Sequence, residues 1–287
     1  MNRPFIAIAY NPKSGSFRLD RLEQLASAYD AAGYDSLLID SYAPDFLAQV
    51  SGAAQLCVSG GDGTLRDVIA RLNGAETIPP ISMFPGGTIN LVAREAGYPA
   101  DIPAFVARTT GPHAGELRVH HHGVAGNASM LVCLSAGPES WAVHLVSEDL
   151  KKRIGRFAYA AAFAKLLWRW PRVAIQVRTD EAEYRCEAVF VLKGRYFAGP
   201  WMIDPAADMM NDHFNLLLLP VARRRDYLRL ILATIIHPAL GSKKWLRLPS
   251  RTVDIEGPER VPVQVDGDIA CHLPVQVRMA ENNIIFV

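Results

Sequence analysis

The chain has 287 residues and 50% hydrophobic content, which favours two domains of ordinary size over a single large one. Its 30 lysine and arginine residues against 29 aspartate and glutamate residues leave a formal net charge of +1. This balance argues against nucleic acid as a partner, and we expect none.

Cysteine usage and hydropathy favour the cytoplasm. The four cysteines are far apart and form no Cys-x-x-Cys pair, as expected in a reducing compartment. The first residues lack the apolar stretch and small-residue cleavage site of a secretory signal. The most apolar later runs, Phe157–Trp168 and Leu228–Leu240, are too short and too interrupted by polar residues to span a bilayer. We therefore expect a cytoplasmic protein.

The first 115 residues alternate between strand and helix patterns. Short apolar runs typical of buried strands lie at Phe5–Tyr10, Ser36–Ile39, Gln55–Ser59 and Ile81–Phe84. Runs with helical periodicity follow them at Leu19–Ala32, Asp45–Val50, Leu65–Leu72 and Ile89–Ala96. This order predicts an α/β domain, residues 1–115, in which helices cover a parallel sheet.

Residues 116–287 contain longer β-rich runs. These lie at Ser129–Leu134, Val173–Arg178, Ala188–Leu192, Phe214–Leu219 and Val261–Val265. They predict an antiparallel, β-rich second domain, with a last strand that is able to return to the first domain. Two predicted helical insertions, Leu150–Trp170 and Arg223–Ile236, interrupt this domain.

A turn rich in small and polar residues follows the first predicted strand. It consists of Asn11, Pro12, Lys13, Ser14, Gly15 and Ser16. Glycine and small hydroxyl residues let backbone N–H groups approach an anion, and Lys13 adds positive charge. An ordinary strand-to-helix turn explains the same residues equally well.

The second turn, after the third predicted strand, places three glycines around one aspartate. Its residues are Ser59, Gly60, Gly61, Asp62, Gly63 and Thr64. Thr64 and Asp67 have the spacing of a capping box, which would bring unpaired amides and the positive end of a helix beside the Asp62 carboxylate. That arrangement suits a phosphate and a metal ion bound to it better than it suits a plain turn.

The third turn lies between the fourth predicted strand and its helix. Its residues are Pro85, Gly86, Gly87, Thr88, Ile89 and Asn90, with Arg94 one helical turn further. Ligands of open parallel sheets bind beyond the carboxyl ends of the strands, where all three turns lie. The chain has no Gly-x-x-x-x-Gly-Lys-Ser/Thr and no Gly-x-Gly-x-x-Gly sequence, so neither a P-loop nor a Rossmann dinucleotide site is predicted.

Together, the three turns resemble the Asn-Pro-x-Ser-Gly, Gly-Gly-Asp-Gly-Thr and Pro-x-Gly-Thr-x-Asn elements of the diacylglycerol-kinase catalytic-domain family. That family includes bacterial lipid kinases, sphingosine kinases and ceramide kinases. Lys152–Tyr159 is similar to its basic Gly-Arg-x-x-Tyr helix start, and Val265–Asp268 is similar to its Asp-Gly-Glu signature. The resemblance covers nearly the whole chain, whereas Gly-Gly-Asp-Gly alone is shared with NAD kinases and phosphofructokinase-like folds.

The resemblance implies an ATP-dependent kinase of a lipid hydroxyl, with an active-site cleft between its two domains. The residues it assigns to nucleotide are Asn11, Pro12, Lys13, Ser14, Gly15, Ser41, Gly60, Gly61, Asp62, Gly63, Thr64, Gly87, Thr88 and Asn90. Asp62 would serve the phosphate and Mg²⁺ end. The candidate proton acceptor is Asp268, which replaces the family's glutamate and has Asp266 beside it; Asp62 is the alternative acceptor.

Two further positions depart from the family pattern. The resemblance implies a structural metal held by Asp212 and by backbone carbonyls, with Met209 and Phe214 as the carbonyl candidates. His213 follows Asp212 where the family commonly has a glycine, and histidine accepts fewer backbone angles than glycine does. Lys193 replaces an asparagine that we would expect after the preceding strand.

Two segments combine basic residues with apolar ones and contain almost no acids. Leu150–Arg172 has seven basic and no acidic residues, and Arg223–Arg251 has eight basic residues and one aspartate. This composition is typical of interfacial helices and predicts reversible, peripheral association with an anionic membrane surface, at the inner face of the membrane. The alternative is that both helices bury apolar stripes against the β-rich domain and expose their charges to solvent.

Three functions therefore remain open. A kinase of diacylglycerol, ceramide, a sphingoid base or another lipid is favoured by the basic, apolar segments. A kinase of a soluble nucleotide or sugar would share the Gly-Gly-Asp-Gly turn. A catalytically weak, lipid-binding regulatory protein would account for the changes at Lys193, His213 and Asp268. Each of these is compatible with a homodimer.

Overall fold

The computed structural model describes residues 3–15, 17–72, 75, 77–111, 118–146, 157–237 and 240–287. The chain divides into two compact units. The first unit contains Met1–His120 and Asn282–Val287, and the second contains His121–Glu281. The last strand therefore belongs to the first unit, because it pairs with strands there.

The first unit is built on a six-stranded sheet. Its strands are β1 (Phe5–Tyr10), β2 (Asp35–Asp40), β3 (Gln55–Gly60), β4 (Ile81–Pro85), β5 (Arg118–His120) and β20 (Ile284–Phe286). Their order is β2-β1-β3-β4-β20-β5, with parallel pairing from β2 to β20 and antiparallel pairing of β5 to β20. The predicted parallel sheet is confirmed.

Helices pack on this sheet through aliphatic and aromatic side chains. They are α1 (Leu19–Ala31), α2 (Phe46–Val50), α3 (Asp62–Leu72), α4 (Leu91–Ala96) and α5 (Ile102–Thr110). The sequence pattern did not predict α5, which has proline in its first turn and is capped by the Asp101 carboxylate accepting from the Ala104 N–H at 3.0 Å. Helix α3 begins at Asp62 and not at Leu65, because the Gly61 carbonyl already accepts from the Leu65 N–H.

The second unit contains two six-stranded antiparallel sheets and a short hairpin. In sheet order, the first has β10 (Glu183–Cys186), β9 (Ile175–Thr179), β16 (Thr252–Glu256), β19 (Val275–Met279), β6 (Gly123–Ala125) and β7 (Ala128–Met130). The second has β15 (Leu246–Ser250), β14 (Phe214–Leu219), β11 (Ala188–Leu192), β8 (Cys133–Ala136), β17 (Pro262–Val265) and β18 (Asp268–His272). The hairpin has β12 (Tyr196–Phe197) and β13 (Trp201–Met202).

Apolar side chains from both sheets form one core, which includes Val177 and Val277 from the first sheet and Val191, Leu216 and Val263 from the second. The predicted antiparallel, β-rich domain is thus confirmed. One predicted strand is divided: the run Ser129–Leu134 forms β7 and β8, separated by residues whose amides bind elsewhere in the unit.

Three helices accompany the sheets in the second unit within the residues described. They are α6 (Pro138–His144), α7 (Phe157–Leu166) and α8 (Arg224–Ile235). The predicted insertion Leu150–Trp170 is therefore only partly visible, since residues 147–156 lie outside the described residues, and with them most of the Lys152–Tyr159 motif. No helix in the described part of the chain is long and apolar enough to span a bilayer.

Candidate active site

The three predicted turns of the first unit lie at the same edge of its sheet. Strands β1, β3 and β4 are neighbours, with Tyr10 paired to Ser59 and Gly60 paired to Pro85 at their carboxyl ends. The chain enters each turn directly after these pairs. Their convergence therefore follows from strand order, as parallel sheets require.

Close backbone contact joins the second turn to the third. The Gly86 N–H donates to the Gly60 carbonyl at 2.9 Å. A Cβ atom added at Gly87 would lie 2.5 Å from the Gly61 Cα, and one added at Gly61 would lie 3.2 Å from the Gly87 Cα. Glycine is therefore required at position 87 by space, a role beyond the anion binding that its composition suggested.

Asp62 links the same two turns through its side chain. One carboxylate oxygen accepts from the Leu91 N–H and the other from the Val92 N–H, each at 2.9 Å, in a position only 8% exposed. These amides begin helix α4 and would otherwise be unsatisfied. Asp62 thus fixes the start of α4. A carboxylate has about four acceptor positions, so it can accept more than one bond.

Asn90 closes the third turn. Its φ is 53°, and its side-chain amide both accepts from the Gly87 N–H and donates to the Gly87 carbonyl, at 2.8 Å each. Asparagine tolerates this left-handed conformation better than most residues. The Asn90 side chain therefore shapes the turn, while Thr88 in the same turn is exposed.

The first turn is organised by Asn11. Its side-chain oxygen accepts from the Lys13 N–H at 2.8 Å, which is an Asx-turn. Its carbonyl accepts from the Ser14 N–H at 3.1 Å, and its amide donates to the Tyr42 hydroxyl at 3.5 Å. The Lys13 ammonium lies 5.6 Å from the centre of the Tyr42 ring. This turn is therefore held in place against Tyr42.

Tyr42 is a site residue that the sequence pattern did not reveal. Its hydroxyl donates to the Asp67 carboxylate at 2.8 Å, and this bond is the main reason that the Tyr42 pKa is raised. Asp67 therefore anchors Tyr42, and the capping box predicted for Thr64 and Asp67 does not form, because α3 already begins at Asp62.

Ser41 follows strand β2 and is hydrogen-bonded to residues of strand β1 and helix α3. Its N–H donates to the Tyr10 carbonyl at 2.8 Å, and its backbone carbonyl accepts from Arg71. The residue is 2% exposed, and its hydroxyl has no hydrogen-bond partner among the described residues. A buried hydroxyl without a partner is costly, so a ligand that supplies one would be favoured here.

In the second unit, the predicted Asp-Gly-Asp signature forms a tight hairpin between β17 and β18. Val265 pairs with Asp268, so Asp266 and Gly267 are the two central residues of the turn. Their φ values are 50° and 92°, the left-handed conformation of a type I′ turn. Aspartate followed by glycine is a preferred pair for this geometry, so local chemistry dictates the turn.

The two aspartates of this hairpin have different surroundings. The Asp266 carboxylate accepts from the N–H groups of Leu131, Val132 and Cys133 at 2.8–2.9 Å and is buried. Asp268 begins β18 and is half-buried. Asp268 is therefore the more accessible of the two, while Asp266 holds the loop between β7 and β8.

Asp212, which the resemblance implies as a metal ligand, has cationic and polar side chains beside it. The Asp212 carboxylate is paired with Arg251, and one of its oxygens lies 3.3 Å from His213 Nδ1. Met209 and Phe214, which are close to Asp212 in the sequence, are both buried. Within the part of the chain that the structure describes, no group of three or more His, Cys, Asp or Glu side chains is placed to hold a metal ion.

Helices α6 and α8 share a buried polar pair. The Tyr227 hydroxyl donates to Glu139 Oε2, and Glu139 Oε1 has no partner among the described residues. Burial raises the Glu139 pKa to about 7. Phe163 and Trp170 surround Tyr227 with ring centres 6.1 and 5.1 Å away, so this pair lies in an aromatic environment.

Family models match both parts of the chain. The diacylglycerol kinase catalytic domain matches residues 6–120, and the YegS C-terminal NAD kinase beta sandwich-like domain matches residues 133–286. The first match contains all three glycine-rich turns, and the second contains the Asp266–Asp268 hairpin.

Curated relatives and a solved structure agree with these models. The chain is 26% identical to a diacylglycerol kinase of Staphylococcus carnosus over 93% of its own length and 89% of that protein. It is 24% identical to a diacylglycerol kinase of Staphylococcus saprophyticus over 93% and 90% of the two chains. A crystal structure of a diacylglycerol kinase from Bacillus anthracis has a similar fold, with a TM-score of 0.78 and 18% identity over 100% of this chain and 98% of that one.

Proposed function

Because the chain belongs to the diacylglycerol kinase catalytic-domain family, we propose that it is an ATP-dependent kinase that transfers the γ-phosphoryl group to the hydroxyl of a lipid. The observation that carries the proposal is the convergence of three polar, glycine-rich turns at one edge of the sheet. Phosphoryl transfer needs positioned phosphates, charge neutralisation and a base near the acceptor hydroxyl.

In this proposal the first unit binds ATP. The first amides of helix α3 have no acceptor within the helix, and they follow Gly60 and Gly61, so they suit the phosphates. Lys13 adds positive charge, and the buried hydroxyl of Ser41 donates to the nucleotide. Mg²⁺ on the phosphates would neutralise developing charge, and the Asp62 carboxylate is a ligand of the kind that this ion prefers.

The second unit supplies the base. Asp268 accepts the proton of the lipid hydroxyl as the hydroxyl oxygen attacks the γ-phosphorus and ADP leaves. Asp266 is the weaker candidate, because its carboxylate accepts from three buried backbone amides. Those bonds keep the carboxylate in place, which suits a residue that holds a loop.

Diacylglycerol is the acceptor to test first, because the curated relatives carry that name. Radiolabelled ATP and purified protein would be incubated with diacylglycerol, ceramide, a sphingoid base, NAD and a sugar, the lipids in mixed micelles. We expect label in a lipid product. Label only in a soluble product would favour the alternative kinase, and no transfer at all would favour the regulatory protein.

We also propose that the enzyme meets its substrate at an anionic membrane surface through helix α8. The helix buries Tyr227, Leu230 and Ala233 on one side. Its outer side exposes the large aliphatic residues Leu228, Ile231, Leu232, Ile235 and Ile236. Helices normally expose polar residues to water, so this outer stripe is suited to insertion among lipid chains.

Basic and aromatic residues flank the stripe. Arg223, Arg224 and Arg225 are exposed at the start of α8. Trp168 is 88% exposed, and its backbone carbonyl accepts from Arg224 at 3.5 Å, so this residue lies beside the start of α8. Each arginine near an anionic surface contributes about 1 kcal/mol of binding free energy. A homodimer through the same stripe would gather these arginines from both copies in one interface, which would oppose assembly.

Vesicle sedimentation tests this surface. The wild-type protein should sediment with phosphatidylglycerol vesicles, and less of it should sediment with phosphatidylcholine vesicles. A double variant that combines Leu228→Gln and Ile235→Gln should lose most of the binding to phosphatidylglycerol vesicles. Leu37→Gln, at a residue 47% exposed on the sheet of the first unit, is the matched control. Unchanged binding by the double variant would exclude the stripe, and a lost dimer in that variant would assign it to self-association.

A further inference from the structure

A lysine ammonium lies buried against the segment in which the family resemblance implies a metal. Lys193 follows strand β11 and is 0% exposed. Its Nζ donates to the backbone carbonyl of His213 at 3.2 Å and, in a shorter contact, to that of Asn211. Two alternate carbonyls of one segment thus converge on one positive charge, as they would on a bound cation.

The nearby carboxylates have cationic partners of their own. Asp212 is paired with Arg251, and Asp208 lies 3.4 Å from an Arg195 nitrogen. A divalent ion needs carboxylate ligands to offset its charge, and both of these are committed to guanidinium groups. In this structure the chain itself therefore supplies cationic partners to both carboxylates and to the carbonyls of Asn211 and His213.

We propose that the Lys193 ammonium is a tethered structural cation that takes the place of the metal ion implied for this segment, through the carbonyls of Asn211 and His213 in place of those of Met209 and Phe214. A covalently attached group does not dissociate from the segment, so the order of residues 209–214 does not depend on divalent ions in the surroundings. The side chain is also preorganised for this role, because strand β11 fixes its backbone and burial restricts its rotamers.

The same lysine connects this segment with the candidate catalytic hairpin. Its backbone N–H donates to the Val132 carbonyl at 2.7 Å, and the Val132 N–H donates to the Asp266 carboxylate at 2.9 Å. Residues 209–214 are thereby linked through Lys193 and Val132 to the anchor of the Asp268 hairpin. Lys193 is a positioning residue here, since its buried ammonium is directed at protein carbonyls.

Thermal unfolding tests the proposal without ATP or lipid, so its outcome is independent of the proposed kinase activity. We expect the wild-type Tm to be the same in EDTA, millimolar Mg²⁺ and millimolar Ca²⁺. Lys193→Met should lower the Tm by several degrees in all three conditions. Lys244→Met, at an exposed lysine of the same unit, is the matched control and should leave the Tm unchanged.

Lys193→Asn separates a structural cation from an ordinary buried lysine. With the ammonium removed and an amide oxygen in its place, the carbonyls of Asn211 and His213 become available to a divalent ion, and the exposed Asp212 carboxylate can exchange Arg251 for that ion. We expect a lowered Tm in EDTA that Ca²⁺ partly restores, and no such recovery in Lys193→Met. Equal losses for Lys193→Asn in EDTA and Ca²⁺ would contradict the equivalence of ammonium and metal.

The wild-type protein provides a test even if both variants fail to fold. Isothermal titration of metal-depleted wild type with Mn²⁺, in the absence of nucleotide, should give no binding at residues 209–214. A wild-type Tm that falls in EDTA and recovers with a divalent ion would overturn the proposal, as would tight Mn²⁺ binding that Arg251→Met or Asp212→Asn alters.

Discussion

The glycine-rich turns of the first unit and the hairpin of the second use an aspartate in the same way. Asp62 accepts two consecutive backbone amides at the start of helix α4, and Asp266 accepts three between β7 and β8. In both motifs, the aspartate that lies next to the glycines holds a neighbouring loop through its carboxylate. The groups proposed to meet a ligand, which are the first amides of α3 and the Asp268 carboxylate, are adjacent to these aspartates.

Asp62 and Asp266, the two anchors of these loops, have different surroundings. Asp62 is the first residue of a helix, and a close glycine pair braces its turn. Asp266 stands at φ 50° in a two-residue turn and relies on its carboxylate for contact with the next loop. The first site is therefore fixed chiefly by backbone packing and the second chiefly by charge-assisted hydrogen bonds.

The largest expected effect tests whether Asp268, beside Asp266 in the hairpin, accepts the proton of the substrate hydroxyl. Asp268→Asn removes the proposed base and should lower kcat by about 10²–10⁴-fold, equivalent to about 3–5 kcal/mol in activation free energy. The free energy of unfolding in urea should change by less than about 0.5 kcal/mol, because Asp268 is only half-buried. Asp268→Glu, which restores the family's residue, is the control and should stay active. An unchanged kcat for Asp268→Asn would move the base elsewhere.

Asp266→Asn tests the anchor itself. Asparagine accepts the left-handed φ but replaces one oxygen with a donor that faces backbone N–H groups, so buried amides lose their acceptor. We expect the free energy of unfolding in urea to fall by about 3–4 kcal/mol. Glu259→Gln, at an exposed turn residue of the same unit, is the control. A stable but inactive Asp266→Asn protein would instead make Asp266 the base.

A third buried carboxylate, Glu139, can be compared with Asp62 and Asp266. Both oxygens of those aspartates accept hydrogen bonds, whereas Glu139 has one oxygen with no partner among the described residues. Glu139 accepts from Tyr227 with one oxygen, while the other has no partner in the described residues, and burial raises its pKa from 4.5 to about 7. Between these two pH values the native state holds a proton that the unfolded state has lost. The free energy of unfolding should therefore fall as pH rises from 4.5 to 7 and then level off.

Glu139→Gln should remove this slope and leave the variant about 3 kcal/mol more stable than wild type at pH 8, with little difference at pH 4.5. Urea unfolding of both proteins across this range is the measurement. Identical slopes in the two proteins would show that another group titrates in this window.

Sequence patterns predicted the local features well. Phe5–Tyr10 and Phe214–Leu219 are strands with the predicted bounds, because each is an apolar run between turn residues. The glycine turns and the Asp-Gly hairpin were also predictable, since backbone conformation there depends on neighbouring residues. The sequence pattern did not predict helix α5, because its proline and two threonines have low helix propensity. The helix forms with proline in its first turn and an N-cap from Asp101.

The anchors could not be predicted from these patterns. The Asp62 carboxylate binds amides 29 and 30 residues away, and the Asp266 carboxylate binds amides 133–135 residues away. Neither pairing leaves a periodic signal, because each depends on how distant strands and loops come together. The contact of Tyr42 with Asp67, 25 residues apart, escaped for the same reason.

The smallest expected effect concerns the packing of the first anchor. A Cβ at Gly87 would lie 2.5 Å from the Gly61 Cα and 2.7 Å from the Asn90 side-chain oxygen, so Gly87→Ala must separate the two turns. We expect a loss of about 1–2 kcal/mol in the free energy of unfolding, together with a raised KM for ATP. The neighbouring Gly86→Ala is the matched control, because its Cβ would lie 3.4 Å from Gly60, within ordinary contact. If both variants bind ATP like wild type, backbone packing of these turns does not position the phosphates. If Gly87→Ala alone is impaired, the first site depends on packing as the second depends on its carboxylate.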